Sequence, residues 1–469
     1  MATRIKVSKS ILFAFFFLVF IASFYLCLGS DQGDHVIARK WYGGLLFFVF
    51  LFLFRKDIRL NLFKSVPLVL FSILLAFVIS RSVWAFWQTP IANPASSDGL
   101  MMKAYMKSPW AWGFYAGVFF MTFAYFYTRR RIRWLLWTLA ISGFLLAFNA
   151  IPALLLRGAP GYLNQYDSYG FFFPFLYCGR FVARYLLGVY VHLNYTGIII
   201  ALGFFPALGI LFYAIYQYAT NKSPVSSERM SIISLVLPVT MAGTIALAVV
   251  LFFSRGAIMC FSGAFLFFLL ALFIKFPSKV QMISMITIFL IVAGFLLYAG
   301  NLKGVWKELQ TVEGEFGEGK ESLVSFDANR EGARRAMAIY RAYPFWGVGT
   351  WGYDAVAKKF ATPGTYDEIR LIKFRIMCHY LTILAEEGIG AFVYYLFLLA
   401  YFYEILIGLI KTKSRFQFVS CLSLFAAVIM VLAHAGINHL MQNWTTAMLA
   451  YIFMGASLGI LRRDFQHQP

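Results

Sequence analysis

Leu251-Phe-Phe-Ser254-Arg255-Gly256-Ala257 joins two long apolar runs, one beginning at Ile232 and the next at Gly256, with almost no loop between them. In hydrocarbon a helix satisfies its backbone polar groups within one segment, so this stretch predicts two membrane helices meeting at a tight turn. The lone cation of that turn, Arg255, lies at a bilayer rim. Such an arginine either snorkels to the headgroups or binds an anion, and the sequence leaves both readings open.

The same pattern extends in both directions. Of 469 residues, 61% are apolar and 19% aromatic, with a mean hydropathy of +0.73, which is more than a soluble core needs. Further runs near the ~20 residues that cross a bilayer begin at Ile11, Trp41, Val66, Pro109, Trp134, Tyr185, Gln281, His379, Phe416 and Trp444. The expected fold is an all-α polytopic membrane protein of about twelve spans. Residues 1–300 would hold spans one to nine, 301–378 a large polar loop with short helices, and 379–469 the last three spans and a C-terminal tail. The first run continues into further spans without a clear cleavage site, so it reads as an uncleaved helix and not a signal peptide.

Basic residues fix the expected orientation, because short cytoplasmic loops accumulate them. Alternate connections carry Arg4, Lys6 and Lys9, then Arg55 to Lys64, the cluster Arg129, Arg130, Arg131 and Arg133, and later Lys411, Lys413 and Arg415. The opposite connections are poorer, with Arg157, Arg180 and Arg184 among their few bases. Both termini are therefore expected in the cytoplasm, with residues 301–378 outside. The net charge of +21, from 41 basic and 20 acidic residues, is largely a consequence of this asymmetry and does not call for nucleic acid. The five cysteines lack metal-binding spacing. Cys178 and Cys378 fall on the same outer side, and unpaired thiols are the preferred reading. Neither an internal repeat nor matched Gly-Pro interruptions appear, which disfavours a transporter built from inverted repeats.

Within the loop, Asp327 to Arg341 predicts a helix stopped by Pro344. Arg330, Arg334 and Arg341 share one of its faces, which is either a solvated surface or a site for phosphate-like anions. The acidic, glycine-rich stretch 312–321 before it reads as a surface excursion. Phe345-Trp-Gly347-Val-Gly349-Thr-Trp351-Gly-Tyr353 then packs aromatics around glycines, as in a tight turn at the interface. His379 opens the next apolar run, where a histidine is commonly an interfacial residue. Glu386 shares its helical face about 10 Å deeper, too far for a direct hydrogen bond. Arg81, beside Trp84 and Trp87, reads as part of an interfacial aromatic belt.

Taken in order, these segments resemble the O-antigen ligase and polymerase family of bacterial lipid-linked glycan transferases. Three blocks carry the resemblance: Ser254-Arg255-Gly256-Ala257; Asn329-Arg330 through Pro344-Phe-Trp-Gly347-Val348-Gly349; and His379-Tyr380-Leu381 through Glu387-Gly388-Ile389-Gly390. His192-Leu193-Asn194-Tyr195 is a weaker fourth, and the family's frequent asparagine after the histidine is replaced here by Tyr380. The resemblance spans roughly residues 185–405. It implies a GT-C-like architecture in the bacterial inner membrane, with a periplasmic active site.

The implied chemistry is inverting glycosyl transfer from an undecaprenyl-diphosphate-linked glycan, without metal or cofactor. The implied acceptor, on the ligase side, is the lipid A-core oligosaccharide. Arg255 and Arg330, followed by Arg334 and Arg184, would stabilise the diphosphate leaving group. His379 would take the acceptor's proton, while Glu387 and Asn194 would support the site. A polymerase would use the same donor, and a lipid-linked glycan flippase or anion transporter is the reading from another class.

Overall fold

The computed structural model describes residues 65–88, 97–126, 128–155, 193–220, 233–251, 255–276, 321–360, 378–437 and 444–462. Every regular element among them is helical. The first seven helices are α1 (Val66–Gln88), α2 (Ser97–Tyr125), α3 (Arg129–Leu155), α4 (Leu193–Leu202), α5 (Phe204–Thr220), α6 (Ile233–Leu251) and α7 (Arg255–Lys275). Then follow α8 (Glu321–Ala342), α9 (Tyr353–Val356) with the 3-10 turn Ala357–Phe360, α10 (His379–Glu387), α11 (Gly390–Lys411), α12 (Arg415–Ala435) and α13 (Trp444–Leu461).

Six of the described helical segments are long and apolar enough to cross a membrane: Val66–Trp87, Arg129–Phe148, Gly197–Gln217, Ala257–Lys275, Gly390–Lys411 and Arg415–Ala435. Their outward faces fit lipid. On α1, Ile73, Ile79, Val83 and Phe86 are exposed, and on α11 so are Phe392, Leu396, Leu399 and Ile410. A water-soluble protein does not present such rows of large apolar side chains. The chain is a membrane-embedded helical protein. The expected spans from Ile11, Trp41 and Gln281 lie outside the described residues.

The helices pack in a continuous series, α11 on α1, α1 on α2, α2 on α13 and α13 on α12. Helix α12 also meets α7 and α5, and α5 meets α6 and α3. Helix α12 is buried along nearly its whole length, so it forms the centre of the bundle. The contact between α2 and α13 is close because α13 presents Gly455 and Gly459 one turn apart. A methyl group at Gly459 would lie 2.5 Å from the Phe123 carbonyl oxygen. This is the small-residue spacing that lets membrane helices approach backbone to backbone.

Several helix boundaries depart from the sequence expectations: α2 begins at Ser97 and not at Pro109, and the run expected from Tyr185 is divided between α4 and α5. Helix α8 begins at Glu321 instead of near Asp327, while still ending before Pro344. More consequentially, the membrane helix expected to open at His379 opens at Gly390. The chain turns at Gly388, whose φ is +56°, and residues 379–387 form the separate short helix α10. Glu386 and Glu387 give the physical reason. Two adjacent carboxyls are costly within a lipid-spanning helix, and the break places both in a polar layer inside protein, where each is 2% exposed or less.

The loop segment docks on the bundle through a second, smaller apolar core. Ala336 and Ile339 of α8 meet Val348, Tyr353, Val356 and Ala385 there, together with Met101, Met102 and Tyr105 of α2 and Ala85 of α1. Helix α8 packs on α10.

Candidate functional site

The site is built by two glycine-containing motifs that fit one another. Residues 344–350 wrap the C-terminal end of α10, where Val348 donates its backbone N–H to the Ala385 carbonyl at 3.1 Å and Gly349 to that of Glu386 at 2.8 Å. In return Ile389 donates to the Phe345 carbonyl at 3.1 Å. These bonds use carbonyls that a helix end otherwise leaves without partners. Gly347, at φ +65°, and Gly388 face each other across this wrap. A Cβ at Gly347 would overlap the Glu386 carbonyl, and one at Gly388 would lie 2.6 Å from the Gly347 nitrogen. Only glycine fits at either position.

Arg81 holds this wrap onto the membrane helices. Its side chain is fully buried, so it does not belong to an interfacial belt as its tryptophan neighbours implied. Nη1 donates to the carbonyls of Trp346 at 2.8 Å and Glu386 at 3.0 Å, and Nη2 donates to Ser108 Oγ at 2.9 Å. Glu387 Oε2 lies 2.8 Å from Nη1. With both Nη1 hydrogens given to carbonyls, this contact is an ion pair and not an aligned hydrogen bond. The Tyr105 ring lies beneath the guanidinium, 5.0 Å from its carbon, and the Tyr105 hydroxyl donates to the Gly347 carbonyl.

Glu387 is buried and held on both carboxylate oxygens. Its Oε1 accepts from Thr350 Oγ1 at 2.6 Å and from Trp112 Nε1 at 3.2 Å. Thr350 in turn donates its backbone N–H to Ser108 Oγ at 3.0 Å. Ser108 precedes Pro109, which lies inside α2 and cannot donate to the Tyr105 carbonyl four residues back. The Ser82 hydroxyl supplies that donor at 2.6 Å. The helix interruption in α2 is thus satisfied by α1, one residue from Arg81.

Beside this layer lies a cavity lined by Trp112, Tyr115, Thr350, Trp351, His379, Ile383, Glu386, Ala447 and Tyr451. It offers about 20 Å³ to the centre of a water molecule, enough for one water or one substrate hydroxyl. His379 is only 4% exposed and its ring meets that of Tyr394 edge-on, with centroids 6.0 Å apart. It is therefore a buried residue at the head of α10. Trp351 forms one wall with φ at +63°, a conformation that a bulky residue adopts only where its surroundings impose it.

The other expected site residues are described only in part. Arg255 is the first residue of α7 and Arg330 lies in α8, both with side chains outside the described residues. Asn194 is in α4, its side chain likewise outside, and Arg184 falls wholly outside, as does Cys178. Cys378 is a free thiol. Arg334 is exposed and already engaged, with Nε 2.8 Å from Glu331 Oε2 and Nη2 2.9 Å from the Phe360 carbonyl. The Glu331 hydrogen bond raises its already high pKa. Arg335, absent from the sequence-based candidates, turns inward to the same glutamate at 3.0 Å and is buried.

Arg81, Trp112, Thr350 and Glu386 are the residues that sequence reasoning missed as parts of this centre. The sequence does carry one signal for Arg81: two charges within apolar runs, at Arg81 and Glu387, are each expensive alone and cheap together. The sequence matches no protein-family model and no curated protein.

Proposed function

We propose that this chain is a membrane glycosyltransferase that moves a glycan from a polyprenyl diphosphate carrier to an acceptor hydroxyl at the periplasmic face. The leading assignment is an O-antigen ligase acting on lipid A-core. The observation that carries the reading is the seating of His379 in a buried cavity formed where two of the three resembling blocks interlock. A hydroxyl entering that cavity meets an imidazole whose ordinary pKa suits proton removal near neutral pH. Arg255 and Arg330 are assigned to the diphosphate, because a planar guanidinium stabilises the charge developing on the leaving oxygens.

Polymerase is the second reading, since it would use the same donor and the same histidine. The two differ in what accumulates when His379→Ala replaces the native protein. A ligase lesion leaves polymerised glycan on its carrier and lipid A-core uncapped. A polymerase lesion leaves single repeat units, some of them on the core, and the long ladder disappears. Unchanged surface glycan, in a strain with no second copy of the activity, removes the transferase reading altogether and favours transport.

A further inference from the structure

Two adjacent glutamates end α10, and the structure gives them different surroundings. Glu387 is held by Arg81, Thr350 and Trp112. Glu386 gives its backbone carbonyl to Arg81 and Gly349, and it lines the cavity that His379 also lines. Seven residues separate His379 from Glu386, so they lie on one face of α10 two turns apart. The remaining gap is spanned by a cavity with room for one water or one hydroxyl.

We infer that Glu386 and His379 form a coupled proton-sharing pair across this cavity, with Glu386 the positioning and proton-accepting partner of the histidine. The chemistry of the step rests on the transferase reading. As the acceptor oxygen bonds to the anomeric carbon, its proton passes to His379. The bond from that carbon to the diphosphate oxygen breaks, and the leaving diphosphate takes the electron pair. Once the product oxygen has left, a water refills the cavity and His379 relays its proton through it to the Glu386 carboxylate, from which it returns to solvent between turnovers. The other titratable or charged groups nearby are Cys378 and Tyr380 beside His379, Tyr105 and Tyr115 of α2, Tyr394 and Tyr395 of α11, Tyr451 of α13, Tyr353 of α9, Arg81 with Glu387, and the Glu331–Arg335 pair of α8. The arginines among them are ion-paired to glutamates, which leaves Glu386 as the carboxyl that shares the cavity with His379.

The test is a histidine NMR titration of the full chain in detergent, with the His379 signal assigned by its loss in His379→Gln. In Glu386→Gln the His379 midpoint falls by roughly one pH unit, because a neighbouring carboxylate stabilises the imidazolium. Glu386→Asp, the variant kept in case the first does not fold, retains part of that stabilisation and shows a smaller fall. A midpoint unmoved in either folded variant overturns the pair. In a transfer assay Glu386→Gln lowers kcat at least about tenfold with little change in KM, and Glu386→Asp recovers part of it. A moved midpoint with unchanged kcat overturns the proton-accepting role. A moved midpoint in a protein whose wild type transfers no glycan keeps the pair and removes the transferase reading.

Discussion

Arg81 Nη1 and Glu387 Oε2 lie 2.8 Å apart with both side chains fully buried, which ties the C-terminal half of α1 to the break between α10 and α11. Removing one partner strands the other charge without water, at a cost of about 3–5 kcal/mol. Arg81→Ala and Glu387→Ala should therefore each lower the thermal unfolding midpoint in detergent sharply. The double change Arg81→Met with Glu387→Leu should cost less than the two single alanine changes summed. Additive losses would mean that the two residues are not coupled.

The interlocked glycines make a second test. Gly347→Ala and Gly388→Ala should each reduce folded protein strongly, since the added methyl meets backbone at both positions and φ is positive. Gly113→Ala is the comparison, because nothing lies within 4 Å of its added methyl. There alanine should be neutral or stabilising by up to about 1 kcal/mol, from helix propensity alone. Equal yields and unfolding midpoints for all three variants would refute the wrap as described.

The arginines of the loop helix should not be equivalent. Arg334 is engaged by Glu331 and Phe360, so Arg334→Ala should lower transfer only a few-fold. Arg255→Lys and Arg330→Lys keep the charge but lose the bidentate fork, and should lower transfer at least about tenfold. Steady-state rates at matched protein levels check this. A larger loss in Arg334→Ala than in Arg330→Ala would move the diphosphate to Arg334.

Much of the membrane architecture was legible because hydrocarbon forces apolar residues into long runs, and helices stand at Val66, Trp134, Gly256 and Phe416 as those runs indicate. The break at Gly388 was not, because by length alone the apolar run is continuous. The cost of Glu386 and Glu387 in lipid, followed by Gly388 and Gly390, was the available sign. Arg81 was misread for a different reason. Its local neighbours Trp84 and Trp87 describe an interface, whereas its partners Trp346, Glu386 and Glu387 are remote in sequence and leave no local pattern. Helical spacing alone placed Glu386 on the face of His379, but the cavity between them is formed by Trp112, Tyr115, Ala447 and Tyr451, which are remote in sequence.

The proposed chemistry needs no divalent ion, so transfer should persist in excess chelator within about twofold of the untreated rate, in keeping with charge stabilisation by arginine alone. Loss of activity in chelator with recovery on adding Mg²⁺ or Mn²⁺ would require a different leaving-group stabiliser.

The most direct measurement is transfer by the purified full-length protein in detergent, supplied with polyprenyl-diphosphate-linked glycan and lipid A-core. The account predicts glycan-capped core with the wild type and none with His379→Ala at the same folded level. Full transfer by His379→Ala, or none by a wild type whose native unfolding transition is intact, would contradict it.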